Sequence, residues 1–239
     1  MDCHDCGTTK AHRIVSRRLG HELGASRPFE TIAIDIIKLD CPGYNGHKYV
    51  LHAICLYTKM HFVFTMKKKD KPTILGIITK LDRLLKRRYN CMVTFIITDD
   101  ERGFGWKDDS VRSYCAQEGI TFEIRAPHIP EQNGAAERSR RTLIKRARTM
   151  RTAANLPITL GPECYIAAAY ILNRTPTRTL QWKTPFEMAY YKQPSIAYMH
   201  VFGCKAYALR TKIPRGDKLT ERALVGYLVG YDSTNIYRI

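Results

Sequence analysis

The chain has 239 residues, 44% of them hydrophobic and 26% charged, enough apolar content to bury one sizeable core and too much for a disordered polyelectrolyte. Thirty-nine lysines and arginines against 22 acids leave a net charge of +17, which points to a polyanionic partner such as nucleic acid, with anionic membrane the weaker rival. No apolar run follows Met1, and the candidate segment "AAAYIL" (167–172) falls well short of the roughly 20 residues a spanning helix needs, so a soluble intracellular protein is expected.

The first 28 residues are polar, carry the pair Cys3 and Cys6, and end in small residues and a proline, the signature of a tail or linker. "TIAIDIIKL" (31–39) is β-branched enough for a strand buried on both faces. "YNG" (44–46) turns the chain into "KYVLHAICLYT", and "MHFVFTM" (60–66) completes a three-stranded meander. "TILGIITKLDRLLKRRY" spaces Ile74, Ile77, Ile78, Leu81, Leu84 and Leu85 for an amphipathic helix. "MVTFIITDD" (92–100) predicts a strand ending in two carboxylates, "DDSVRSYCAQEG" a short helix stopped by Gly119, and "ITFEIRAP" a further strand. After a loop "PEQNG", a basic helix runs from Gly134, followed by helices over "ITLGPECYIAAAYILNRTP" and after the capping Thr184. "CKAYALR", "ALVGYLVGYD" and "NIYRI" return to short strands. A meander followed by alternating helices and strands predicts an α/β fold with a mixed five-stranded sheet flanked by helices and a small C-terminal β-rich appendage. Cys41, Cys55, Cys91, Cys115, Cys164 and Cys204 are scattered singly, as buried reduced thiols are.

Three acids stand in informative places. Asp35 lies mid-strand, where an ionised carboxylate needs compensation, from a salt bridge to a core-facing lysine or arginine or from something else. Asp99 ends a strand, with Asp100 beside it facing solvent or capping the next loop. Glu137 sits on the first turns of the basic helix, where the helix dipole alone would favour an acid. Taken one at a time, these structural explanations suffice. Together, the three acids can converge on a small volume, and converging carboxylates repel unless a cation sits among them. Oxygen ligands of this kind suit Mg²⁺ or Mn²⁺, which serve phosphoryl displacement. On the basic helix, Arg138, Arg141, Lys145 and Arg148 recur on one face as candidate phosphate contacts, with Gln132 and Asn133 ahead of them. Ala136, Leu143, Ala147 and Met150 form the stripe that packs on the sheet. "MKKKDK" (66–71) and "KRRY" (86–89) are less specific basic patches.

"TIAIDII", "FIITDDERGFG", "APHIPEQNGAAERSRRTLIKRARTM", "NLPITLGPE", "AAAYILNRTP", "TPFEMAYYKQP", "VFGCKAYA" and "DKLTERALVGYLVGYD" together resemble the integrase region of copia-type retrotransposon polyproteins, particularly fungal ones. The resemblance implies a ribonuclease-H-like fold and a metal-binding D,D,E triad on Asp35, Asp99 and Glu137, with Mg²⁺ or Mn²⁺ as cofactor. It implies 3′-end processing of DNA and strand transfer into target DNA. The partners it implies are double-stranded element and target DNA, with RNA as a further partner, and a homo-oligomer. The implied location is nuclear, with a cytoplasmic virus-like-particle stage. "CHDC" resembles the second half of an amino-terminal His-His-Cys-Cys zinc module, so Cys3 and Cys6 are candidate Zn²⁺ ligands in an incomplete site. The expected organisation is a remnant of that module and linker over 1–27, a catalytic core over 28–194 and a truncated β-rich region over 195–239. Gly161 stands where the resemblance calls for a tryptophan, a change that would open a hole if the position is buried. A catalytically inactive nucleic-acid-binding remnant is the alternative function, and a ribonuclease-H-like nuclease acting on RNA hybrids a third.

Overall fold

The run TIAIDIIK forms β1 (Thr31–Lys38) and is buried on both faces along most of its length. It is the central strand of the sheet in a computed structural model that describes residues 25–98, 110–124, 130–210 and 221–239, the side chains of 130–135 excepted. The meander expected from the sequence is present: β2 (Tyr49–Cys55) runs antiparallel to β1, and β3 (His61–Met66) antiparallel to β2. β4 (Phe95–Thr98) and β5 (Thr121–Ile124) add parallel strands on the other side. The order β3-β2-β1-β4-β5 is therefore the mixed five-stranded sheet.

Period-2 alternation sorts the strand residues between two layers. Ile32 and Ile34 of β1, with Leu51, Ala53 and Cys55 of β2, face α1 (Lys71–Tyr89) and α2 (Ser110–Gln117). From α1 this core takes Ile74, Ile78, Leu81 and Leu85, with Ile77 and Leu84 partly buried beside them. Asp70 caps α1 by accepting from the Thr73 amide at 3.1 Å. Gly119, at φ +70, ends the α2 segment in a conformation that favours glycine.

The opposite face of the sheet meets α3 (Pro130–Ala153) and α4 (Gly161–Leu172). Here Ile37 and Val50 pack against Leu143 and Ala147 of α3 and Cys164, Ala168, Ala169 and Leu172 of α4. A smaller cluster joins Ala33, Ile54 and Ile97 to Ala136. The segment "PEQNG" is not the loop expected from its composition: it forms the first turns of α3. Pro130 suits the first helical position, where its missing N–H is not needed, and Gly134 inside the helix costs only about 1 kcal/mol relative to alanine.

α5 (Pro185–Tyr190) begins with a capping box, Thr184 accepting from the Glu187 amide while Glu187 accepts from the Thr184 amide. The C-terminal strands form two small sheets, β6 (Lys205–Leu209) with β7 (Ala223–Tyr227) and β8 (Gly230–Tyr231) with β9 (Tyr237–Arg238). They attach to α4, where Tyr231 stacks on Tyr170 and Arg238 pairs with buried Glu163 at 2.8 Å. Gly203 of the "FGC" turn has φ +82, and a Cβ there would collide with Ala154 at the end of α3, so this turn requires glycine. At Gly161 a Cβ would meet no atom within 4 Å. That position opens outward, and its glycine leaves no hole in the core. The six cysteines among the described residues are all free, with Cys55, Cys115 and Cys164 buried. No helix among the described residues is long and apolar enough to cross a membrane.

Candidate active site

Asp35 occupies an odd position of β1, so its side chain lies on the sheet face covered by α3. Glu137 of α3 and Asp35 line one crevice with Ala33, Ile34, Ile97, Ala136 and Arg140. On the other side of β1, Ile34 pairs with Thr98, the last described residue of β4. The next residue in the chain, Asp99, lies outside the described residues, as do Asp100, Cys3 and Cys6. Two of the three expected acids thus line one crevice. Among the described residues no three His, Cys, Asp or Glu side chains group as metal ligands.

Glu137 is the eighth residue of α3, about 10 Å along its axis from Pro130. Helix-dipole stabilisation fades within the first turn, so the dipole explanation for this acid does not hold. Its side chain is exposed to solvent.

The compensation for Asp35 is Arg140, whose Nε stands 2.7 Å from the carboxylate Oδ2; the two side chains are 43% and 16% exposed respectively. The salt bridge to a basic residue, one of the two readings left open by the sequence, is therefore made. Arg140 is absent from the sequence candidates, yet it leaves a mark there. It falls within the stripe Ala136, Leu143, Ala147 and Met150, four residues after the first and three before the second, as a lone cation on an otherwise apolar helix face.

Behind Asp35 lies a second polar group. His52 opposes Asp35 across the β1–β2 pair, and its Nε2 is 3.0 Å from His61 Nδ1, the rings stacking at 5.2 Å. Burial pushes the His52 imidazole well below its ordinary value, with His61 and Arg140 adding to the effect, and burial pushes His61 down to about 4. One neutral ring donates to the other. Asn173, just past α4, accepts from the His61 amide at 2.7 Å and donates to the His61 carbonyl at 2.8 Å. Its amide thus takes the place of a missing neighbour on edge strand β3. No pattern in the sequence marks His52, His61 or Asn173, because their meeting depends on strand register and on where α4 ends.

Arg138, Arg141, Lys145 and Arg148 are all exposed on α3, as their spacing predicts, whereas Leu143 and Ala147 are buried at 0% and 3%. Gln132 and Asn133 fall within the first turns of the same helix, their side chains outside the described set. The "KRRY" patch has structural partners: Lys86 bridges Asp82 at 2.8 Å and Glu118 at 2.6 Å, and Arg88 stands over the Tyr190 ring.

No protein-family model matches the chain. Among curated proteins it is 27% identical over 230 residues, 95% of its length, to the retrovirus-related Pol polyprotein from transposon RE2 of Arabidopsis thaliana. It is 28% identical over 193 residues, 81% of its length, to that from transposon TNT 1-94 of Nicotiana tabacum. Its homologues are Pol polyproteins of copia-type transposons. The chain spans only 15% and 14% of the length of these two relatives. Among solved structures, the catalytic core domain of BIV integrase superposes with a TM-score of 0.50 at 17% identity, over 67% of this chain and 93% of that one. The HTLV-2 integrase catalytic core domain in complex with magnesium, in a trimeric form, gives 0.51 at 16% identity, over 69% and 99%. The fold is ribonuclease-H-like, shared with integrase catalytic cores.

Proposed function

We propose that this Pol-related chain is the core of an integrase, a polynucleotidyl transferase that processes DNA 3′-ends and joins them to target DNA, with Asp35, Asp99 and Glu137 as its acidic triad. The observation that carries the reading is the shared crevice of Asp35 and Glu137, contributed by a strand and a helix far apart in sequence, beside an exposed cationic helix face. The donor set suits a hard divalent ion: the carboxylates of Asp35 and Glu137 line one crevice. When bound, magnesium or manganese would supply Lewis-acid activation of the attacking oxygen and charge neutralisation at the phosphate. Asp35 and Glu137 would hold it, with Asp99 as the third oxygen ligand.

The chain's own part is to bring DNA there and hold it. Arg138, Arg141, Lys145 and Arg148 point away from the core on the helix that presents Glu137, so phosphates bound along that face run past the crevice mouth. Packing of Leu143 and Ala147 on the sheet fixes the helix against that load. Assembly into a homo-oligomer on paired DNA ends, within a nucleus, belongs to the same proposal.

The test is nicking and joining of labelled duplex DNA by the purified chain with millimolar Mg²⁺ or Mn²⁺. Activity is expected in wild type and lost in Glu137→Gln; equal activity in both would refute the assignment. One observation favours a second reading, a nucleic-acid-binding remnant without catalysis: the guanidinium of Arg140 occupies the carboxylate that a metal would need. DNA binding with no metal-dependent cleavage under any of these conditions would select it.

A further inference from the structure

Most cationic residues of α3 lie on its outer face, while Arg151 turns to the Leu156 carbonyl at the helix end. Arg138, Arg141, Lys145 and Arg148 are exposed on the outer face. Arg140 instead lies on the packing stripe, half-buried, with its Nε against Asp35 at 2.7 Å, one helical turn beyond Glu137. The crevice it shares with both carboxylates is about 10 Å³, room for about one water molecule. Magnesium keeps several waters when it binds, so a hydrated ion and this guanidinium compete for the same carboxylate oxygen of Asp35.

From this competition we infer that Arg140 is a built-in counter-cation, which holds the metal position of Asp35 in the absence of substrate and swings out when a divalent ion takes that oxygen. The inference rests on the metal-site reading above and deepens it. Arg140 starts only part-buried, so the outward path is open. A guanidinium leaving Asp35 finds its best alternative partner in a phosphate, whose oxygens match its planar fork of donors. DNA arriving along α3 supplies that phosphate. Metal and DNA therefore help each other: DNA draws Arg140 away and frees the carboxylate, and by linkage a bound ion strengthens the hold of Arg140 on DNA. In chemical terms the device protects the site from ions while no DNA is present, and it ties ion loading to the moment the substrate arrives.

The probe is Mn²⁺ alone, its binding measured by electron paramagnetic resonance of the free ion, with wild type, Arg140→Met, Arg140→Gln and Asp35→Asn. Both Arg140 variants should bind Mn²⁺ at least about tenfold more tightly than wild type, equivalent to about 1.4 kcal/mol, and Asp35→Asn should remove that binding. A DNA duplex should tighten Mn²⁺ binding to wild type and have a weaker effect on Arg140→Met. In wild type itself, the Arg140 Nε–H resonance should be protected from solvent exchange and lose that protection on titration with Mg²⁺, a reading that stands if a variant fails to fold. Equal affinity in wild type and the folded Arg140 variants, with Asp35 still required, would overturn the counter-cation role and leave the metal site intact. Absence of any Asp35-dependent binding in all four proteins would overturn both.

Discussion

Replacement of Arg141, Lys145 and Arg148 together by alanine tests whether α3 is the DNA track. These three cations are exposed on one helix face, and from Arg141 to Arg148 they cover about 10.5 Å along the axis, long enough to meet successive phosphates of one strand about 3.4 Å apart along the duplex. Each phosphate contact releases counterions and adds about 0.9 to the slope of log K against log salt, so the triple variant should flatten that slope by about 2.7. Between about 50 and 200 mM salt, wild type should then lose about 40-fold more affinity than the variant. The loss should be the same for duplexes of unrelated sequence, because phosphates carry no sequence information. Fluorescence anisotropy of labelled duplexes across a salt series measures it, with circular dichroism confirming the fold. Leu143→Ala is the converse control: this fully buried side chain should cost about 2 to 5 kcal/mol of stability while leaving the salt slope of the folded fraction unchanged. An unchanged slope in the triple variant would refute the reasoning and move the DNA path to "MKKKDK" or the C-terminal strands.

Asn173→Ala should destabilise the chain by about 2 to 4 kcal/mol, since it strands both the amide and the carbonyl of His61 at a buried edge; a urea midpoint that does not move would mean that water takes over both bonds. The buried histidines predict acid sensitivity. Their folded values lie below the ordinary 6.5, at about 4 for His61 and lower than normal for His52, so between pH 6.5 and 4 the unfolded chain takes up protons that the folded chain refuses. Stability is then fully present above pH 6.5 and falls as the pH drops towards 4, by up to about 1.4 kcal/mol per pH unit for each histidine. Urea denaturation from pH 7.5 to 4.5 should show this slope, reduced in His61→Gln; a flat profile would contradict the buried neutral pair.

The sheet, its order and its two helical layers are legible in the sequence because β-branched runs and 3.6-residue spacing report burial directly. The start of α3 is not legible there, because Pro, Asn and Gly in "PEQNG" score as a loop while the helix tolerates them at its first turns. The two acids that line one crevice, Asp35 and Glu137, are readable in the sequence only when taken together, since a salt bridge or the helix dipole explains each alone. What answers Asp35 is half-readable: a cation is required, and Arg140 breaks the apolar stripe at the correct turn, but only the helix's position over β1 decides that its guanidinium reaches the carboxylate. The His52–His61 pair and its Asn173 clamp need the register of three strands and the end point of α4, quantities no local pattern encodes.

The small cluster of Ala33, Ile54, Ile97 and Ala136 has a bearing on the chemistry that its modest size conceals. Asp35 rides on the sheet and Glu137 on the helix, and beside them Ala136 of the helix packs against a sheet patch of Ala33, Ile54 and Ile97. On the helix side the spacer next to Glu137 is therefore a single methyl group, the thinnest a chiral residue can offer. A bulkier residue at Ala33 or Ala136 would act as a wedge, lifting one acid from the other with every charge in place. Nucleic-acid joining by such a fold could be tuned, or silenced, by apolar volume alone.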